Sequence, residues 1–125
     1  MGLDPKTFTY PFGEYNDSVI QIVKDAGYIG ARSVDEGINV PTSDRYVLRD
    51  QHIEKTTTVA QAKQWIDQAI AGKQWLILEL HEQRTDGDQY SSDPAVLQGI
   101  VDYIKQQNIK TVTTAEGIAL MSQQQ

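Results

Sequence analysis

The chain has 125 residues, and its apolar residues make up 39% of the sequence, enough for one domain with a modest core. Eleven basic residues against 17 acidic ones give a net charge of −6, which argues against nucleic acid or an anionic membrane surface as a partner. The absence of cysteine excludes disulfides, thiolate metal sites and thiol nucleophiles, and the longest apolar run, Trp75–Leu78, is far too short to span a membrane.

The first elements alternate between strand and helix. Lys6–Tyr10 is rich in β-branched and aromatic residues and is predicted to be a strand that stops at Pro11. Asn16 is predicted to cap a helix that ends at Gly27. Tyr28–Val34 is then predicted to be the second strand.

The middle of the chain begins with a loop. The stretch from Gly37 to Asp44 is rich in glycine, asparagine, proline and serine, and Tyr46–Leu48 adds at most a short extended piece. Thr58 and Gln61 form the pattern of a capping box before an amphipathic helix.

The second half continues the alternation. Trp75–His81 is nearly all apolar, which predicts a strand buried on both faces of a parallel sheet. Asp93 is predicted to cap the next helix, Ile109–Thr113 to form a last strand, and Thr113 to cap a short terminal helix. Residues 1–5 and 122–125 are expected to be flexible.

This order predicts an α/β fold with parallel strands and right-handed crossovers. A complete (β/α) barrel needs roughly 200–250 residues, so a complete barrel is excluded. Two forms remain open for residues 1–125 as one domain: a compact doubly wound sheet, or part of a barrel, about half of one. Uncovered sheet edges then favour a homo-oligomer or association with a missing half. A complete receiver-type domain is disfavoured, because no acidic cluster follows the first strand and no lysine follows the last.

His81 is the strongest candidate for chemistry. It lies at the carboxyl end of the most apolar strand, the end where α/β sheets and barrels carry their active sites. Glu79 is two residues earlier and therefore on the same face, where a carboxylate favours a general-acid role for the imidazole. Because burying an unpaired carboxylate in an apolar strand is costly, Glu79 is expected either to have a partner or to line a water-filled cavity. The plainer interpretation is a structural histidine at a strand end.

A stiff turn is predicted after the first strand. Tyr10, Pro11, Phe12 and Gly13 follow one another, and this order can aim a backbone N–H into a cleft at the strand end. Such an amide stabilises a developing oxyanion. The alternative is a turn that only terminates the strand.

Charged side chains follow the second strand. Asp35 lies at its carboxyl end, and either Arg32 or Arg49 is a candidate to pair with it, although a solvated acidic loop explains the pattern equally simply. His52 is predicted to be structural or on the surface. No two histidines have the spacing of metal ligands, and the sequence has no phosphate-binding or dinucleotide-binding glycine motif and no nucleophile elbow. No metal ligand is therefore assigned.

An ordered set of segments resembles the C-terminal half of the polysaccharide deacetylase family (NodB homology, family 4 carbohydrate esterases). The segments are FTYPFGEYND, AGYIGARSVDEGIN, YVLR, WLILELHEQ and TVTTAEGIALM. The resemblance covers nearly the whole chain. It implies part of a distorted (β/α) barrel and the metal-dependent hydrolysis of N- or O-acetyl groups on a polysaccharide or oligosaccharide.

The resemblance also implies roles for individual residues. His81 matches the general acid, the backbone N–H of Phe12 matches the oxyanion donor, and Asp35 matches an orienting carboxylate. Substrate-binding positions correspond to Tyr10, Pro11, Glu79 and Arg49. Thr9 and Glu79 differ from the family pattern, which has an arginine and an apolar residue there.

The metal of this family, usually zinc, is held by an acidic pair and a histidine pair in the N-terminal half. We therefore expect no metal ligands within this chain and no activity of the isolated chain. The resemblance also implies an extracellular or cell-wall location, which the sequence itself leaves open. The alternative function is a non-catalytic module that binds a glycan through Tyr10, Phe12 and Tyr15.

Overall fold

A computed structural model describes residues 4–124, and within this range strands and helices alternate except between the second and third strands and between the last two helices. In chain order the elements are β1 (Thr7–Thr9), a 3-10 turn (Pro11–Gly13), α1 (Asp17–Asp25), β2 (Gly30–Glu36), β3 (Leu48–Ile53), α2 (Val59–Gly72), β4 (Leu78–Leu80), α3 (Pro94–Gln106) and α4 (Thr114–Ser122). The strands form a sheet of order β1-β2-β3-β4, and every neighbouring pair is parallel. The predicted α/β class is therefore confirmed, and the sequential parallel order is that of half a (β/α) barrel.

The chain divides into two compact units. Among the described residues, the first comprises the chain up to Asp50 together with the chain from Val112 onward, and the second comprises Gln51–Thr111. β3 runs through the division, so its first three residues belong to unit 1 and its last three to unit 2.

The core of unit 1 is aromatic. Tyr10, Val23 and Ala31 are buried, and the partly buried residues packed on them are Phe8, Tyr15, Val19, Ile20, Tyr28 and Tyr46. The Tyr10 hydroxyl donates to the carbonyl of Tyr46 at 2.9 Å, which satisfies the polar end of a ring that is only 1% exposed.

The core of unit 2 is aliphatic. Ile53 of β3, Ala62 and Ile66 of α2, and Ile100 of α3 are buried together. Partly buried side chains close this cluster, among them Trp65, Leu78, Tyr103 and Ile109. The apolar faces of α2 and α3 thus pack against the end of β3.

The predicted helix starts are confirmed. The side chains of Asn16, Thr58, Asp93 and Thr113 each accept a hydrogen bond from a backbone N–H of the helix that follows. At α4 the bond is reciprocal, because the Glu116 side chain accepts from the backbone N–H of Thr113.

Three strand predictions need correction. β3 continues to Ile53, well beyond the predicted Tyr46–Leu48, and β4 covers only Leu78–Leu80 of the predicted Trp75–His81. β4 is partly exposed, not buried on both faces. Ile109–Thr113 is not a strand: Ile109 packs on the core of unit 2 from an irregular segment between α3 and α4. A strand forms only where a neighbouring strand takes its hydrogen bonds, and β-propensity alone does not supply one.

The predicted flexible ends fall partly outside the described residues, which begin at residue 4 and end at residue 124. Ser122 is the last residue of α4. Among the described helices, none combines the length and the apolar character needed to cross a membrane.

Candidate functional site

The Phe12 turn (Pro11–Gly13) directly follows β1 in unit 1. Phe12 has φ 56° and ψ 14°, a left-handed conformation that a bulky residue rarely adopts, and Gly13 has φ 72°. The N–H of Gly13 donates to the Tyr10 carbonyl at 2.9 Å, and the N–H of Glu14 donates to the Pro11 carbonyl at 3.2 Å. These bonds fix the backbone around Phe12, whose side chain is 96% exposed.

Tyr10 belongs to the core and not to a surface. Its ring lies 5.2 Å from the ring of Tyr15 in a stacked arrangement, and it meets Phe8 edge-on at 5.6 Å. The substrate-binding role predicted for Tyr10 has no support from this placement, because the side chain is covered.

Asp35 is bonded to a tyrosine. The Tyr15 hydroxyl donates to Asp35 Oδ2 at 2.6 Å. Arg49, which also acts on Tyr15 electrostatically, donates from Nη1 to the Glu36 carbonyl at 3.2 Å. The structure thus gives Asp35 a tyrosine partner and places Arg49 on the carbonyl of the next residue, Glu36.

This contact has a measurable consequence for Tyr15. The hydrogen bond to Asp35 raises the pKa of the Tyr15 phenol above its ordinary value of 10.0, with burial and the Asp35 charge acting in the same direction and Arg49 opposing them. The folded state therefore holds the phenolic proton more tightly than the unfolded state does. The resulting stabilisation is fully present below pH 10 and is lost as the pH rises through the raised pKa.

We expect Asp35→Asn to lower the pKa of Tyr15 toward 10.0, since the substitution removes the charged acceptor that is the main cause of the shift. NMR titration of the tyrosine Cζ carbons measures it. Tyr103 is the internal control, because its pKa is raised by a separate bond to Asp67 and should not move. An unchanged pKa of Tyr15 in the variant would contradict the assignment.

A buried ion pair links β2 to β3 in unit 1. Arg32 Nη1 bonds Asp50 Oδ2, and it also donates to the carbonyl of Ser33 at 3.1 Å. The Asp50 side chain is 0% exposed and that of Arg32 is 17% exposed. Arg32 is therefore committed to Asp50, a partner that the sequence did not indicate.

His81 lies in unit 2, directly after the carboxyl end of β4, and its side chain is exposed. Its ring centroid is 5.5 Å from that of Tyr90, with the two planes tilted by 38°. Tyr90 belongs to the segment between β4 and α3. The predicted strand-end position of His81 is thus present, together with an aromatic neighbour.

Glu79 has the partner that its position requires. Residues His52 and Glu79 face each other in the β3–β4 register, and His52 Nε2 lies 3.2 Å from Glu79 Oε2. Glu54 Oε1 is 3.9 Å from the other ring nitrogen of His52. The pair explains why a carboxylate is tolerated on this strand.

Histidine and carboxylate side chains are also the usual ligands of zinc-like ions. In unit 2, one such imidazole and one such carboxylate face each other, with His52 Nε2 3.2 Å from Glu79 Oε2. The expectation that the metal ligands of a complete domain lie outside this chain stays a prediction.

Sequence reasoning did not single out Tyr90 or the partners of Glu79 and Arg32. The only sequence signal for Tyr90 is an aromatic residue within an otherwise polar segment, Glu82–Asp93. The pairings depend on strand register, which the sequence leaves open.

Comparison of the chain with protein-family models, with curated proteins and with solved structures finds no match.

Proposed function

We propose that the chain is the C-terminal part of a metal-dependent carbohydrate deacetylase that hydrolyses N- or O-acetyl groups on a polysaccharide. The observation that carries the proposal is that, within each unit, a candidate reactive group directly follows the carboxyl end of a parallel strand. The Phe12 turn follows the carboxyl end of β1, and exposed His81 follows the carboxyl end of β4. Parallel α/β barrels carry their active sites at these strand ends.

Each group has a chemical role that its surroundings support. The Phe12 N–H donates a hydrogen bond to the oxyanion that develops on the acetyl carbonyl, and the fixed left-handed turn holds that amide in one orientation. The His81 imidazole gives a proton to the departing amine or alkoxide. In the same unit as the Phe12 turn, Asp35 accepts a hydrogen bond from Tyr15, and Arg49 donates to the carbonyl of Glu36.

The activation of the attacking water is the chemistry that a divalent metal supplies when bound. We assign its ligands to a missing N-terminal half. Because β1 and β4 are the outer strands of the sheet among the described residues, their edges favour association with that half or with a second copy. The isolated chain is then inactive.

The test uses the chain joined to the polypeptide encoded directly upstream of it. Acetate release from chitin oligomers and acetylated xylan, in the presence of zinc, is measured for this joined polypeptide and for two variants of it. The joined polypeptide should release acetate, and His81→Ala should reduce the rate by at least about 100-fold, the usual contribution of a general acid. Glu82→Ala, the exposed neighbour on the same segment, is the matched control and should keep the rate. Full activity of His81→Ala would contradict the role of His81.

One observation favours the alternative of a glycan-binding module. The Phe12 ring is 96% exposed, and exposed aromatic rings are common contacts for sugar faces. Calorimetric titration with chito- and xylo-oligosaccharides separates the two functions. A saturable heat without metal that Phe12→Ala abolishes would favour the binding module, whereas the deacetylase half should give none.

A further inference from the structure

The contact between Tyr90 and His81 is the feature of unit 2 that neither core packing nor the predicted chemistry explains. The Tyr90 side chain is a large ring that remains 47% exposed, and its ring contact is with an imidazole that is itself exposed. A ring that served only to fill the core would be covered, as Tyr10 is.

The loop that carries Tyr90 (residues 82–92, the Tyr90 loop) is tied together at its base. Gln83 Nε2 donates to Ser92 Oγ at 2.8 Å, and the N–H of Ser92 donates to the Glu82 carbonyl at 3.1 Å. Ser91 and Ser92 are both 1% exposed. The base of the loop is therefore anchored at the point where the chain leaves His81.

The tip of the loop is fixed as well. Lys55 donates from Nζ to the Gly87 carbonyl at 2.8 Å and from its backbone N–H to the Gln89 carbonyl at 3.1 Å. The N–H of Tyr90 donates to Asp88 Oδ1 at 2.9 Å. These bonds set the backbone of Tyr90 independently of its ring, so the ring is presented to His81 by a rigid support.

We propose that Tyr90 is a positioning residue for His81, a role that rests on the proposed function of His81 as general acid. An exposed imidazole at the end of a strand samples several rotamers. Proton transfer requires one fixed orientation of the imidazole toward the leaving group, so time spent in the other rotamers is unproductive. The Tyr90 ring packs against the imidazole and restricts these rotamers. The phenol hydroxyl is not needed for this, so phenylalanine should replace tyrosine.

The contact is tested on the chain itself by NMR of the His81 ring protons. The aromatic ring current of Tyr90 should displace these resonances from their random-coil positions. Tyr90→Leu should return them to random-coil values, and Tyr90→Phe should keep them displaced. The resonances of His52, assigned with a His52→Gln variant, should be the same in all three proteins and report that unit 2 is folded. Random-coil His81 resonances in the wild-type chain, or no change in Tyr90→Leu, would overturn the contact.

The positioning role is tested by kinetics in the joined polypeptide described above. Tyr90→Leu should lower kcat roughly ten- to a hundredfold with little change in KM, because the substrate still binds while the acid is misplaced. Tyr90→Phe should retain kcat. An unchanged kcat in Tyr90→Leu would overturn the role. Absence of acetate release from the wild-type joined polypeptide would instead count against the proposed function, while the NMR result would still decide the contact.

Discussion

Replacing Asp50 with leucine is expected to lower the free energy of unfolding by about 3–5 kcal/mol, the usual cost of removing one partner from a buried ion pair. Asp50 is fully buried and Arg32 is largely so. The substitution leaves the largely buried guanidinium without the negative charge that faces it. Urea unfolding followed by far-UV circular dichroism measures the effect.

The double variant Arg32→Met with Asp50→Leu is the decisive control. Removing both charges avoids the unpaired cation, and apolar side chains of similar volume often match the stability of a buried pair. The double variant should therefore recover most of the loss. Asp86→Ala removes the partner of Arg84 in an exposed ion pair and should leave the unfolding midpoint unchanged. If Asp50→Leu were as stable as the wild type, or the double variant as unstable as the single one, the ion pair would not be the cause.

Replacing Gly13 with alanine is expected to destabilise the chain by about 2–4 kcal/mol, from the cost of a left-handed residue and of a steric clash together. Gly13 has φ 72°, and a β-carbon built there would lie 2.0 Å from Val34 Cγ2. Either the turn or Val34 on β2 must move. Because Gly13 follows Phe12, the same shift would displace the amide to which the oxyanion role is assigned.

Gly27→Ala separates the two contributions to this effect. Gly27 also has a positive φ, 88°, but a β-carbon there would meet nothing within 4 Å. Only the conformational cost remains, so the loss should be about 1–2 kcal/mol. Thermal and urea unfolding of both variants provide the comparison. Equal losses at Gly13 and Gly27 would show that the contact with Val34 carries no energy.

Local signals in the sequence predicted the helices well. The N-caps Asn16, Asp93 and Thr113 were predicted because a cap depends on residues within one turn of itself. The strand order followed from the alternation of elements, and all pairs are parallel as expected.

The strand ends were predicted poorly because they depend on distant partners. The last residues of β3 include Asp50 and His52, which look unsuited to a central strand. Their partners, Arg32 and Glu79, lie on the two neighbouring strands, and only the register reveals them. Ile109–Thr113 shows the reverse case, a segment with strand-forming residues that forms no strand.

In the candidate site, too, the positions of residues at strand ends could be predicted from the sequence, whereas their contacts with distant residues could not. His81 and the Phe12 turn were predicted because a position at the end of a strand is visible in the sequence. The contact between His81 and Tyr90 was not predicted, because it depends on the conformation of a polar loop. Hydrogen bonds within that loop and to Lys55 set this conformation and place Tyr90 beside His81. The position of Glu79 was identified as unusual, but its partner His52 was not.

The central claim is that this chain supplies the oxyanion amide and the leaving-group acid of a sugar deacetylase while the metal ligands lie elsewhere. The most direct test is acetate release by the isolated chain, incubated with zinc and acetylated chitin oligomers or xylan. The account predicts no acetate above the level of a protein-free sample at any zinc concentration. Zinc-dependent turnover by the chain alone would contradict the account, because its own side chains would then complete the site.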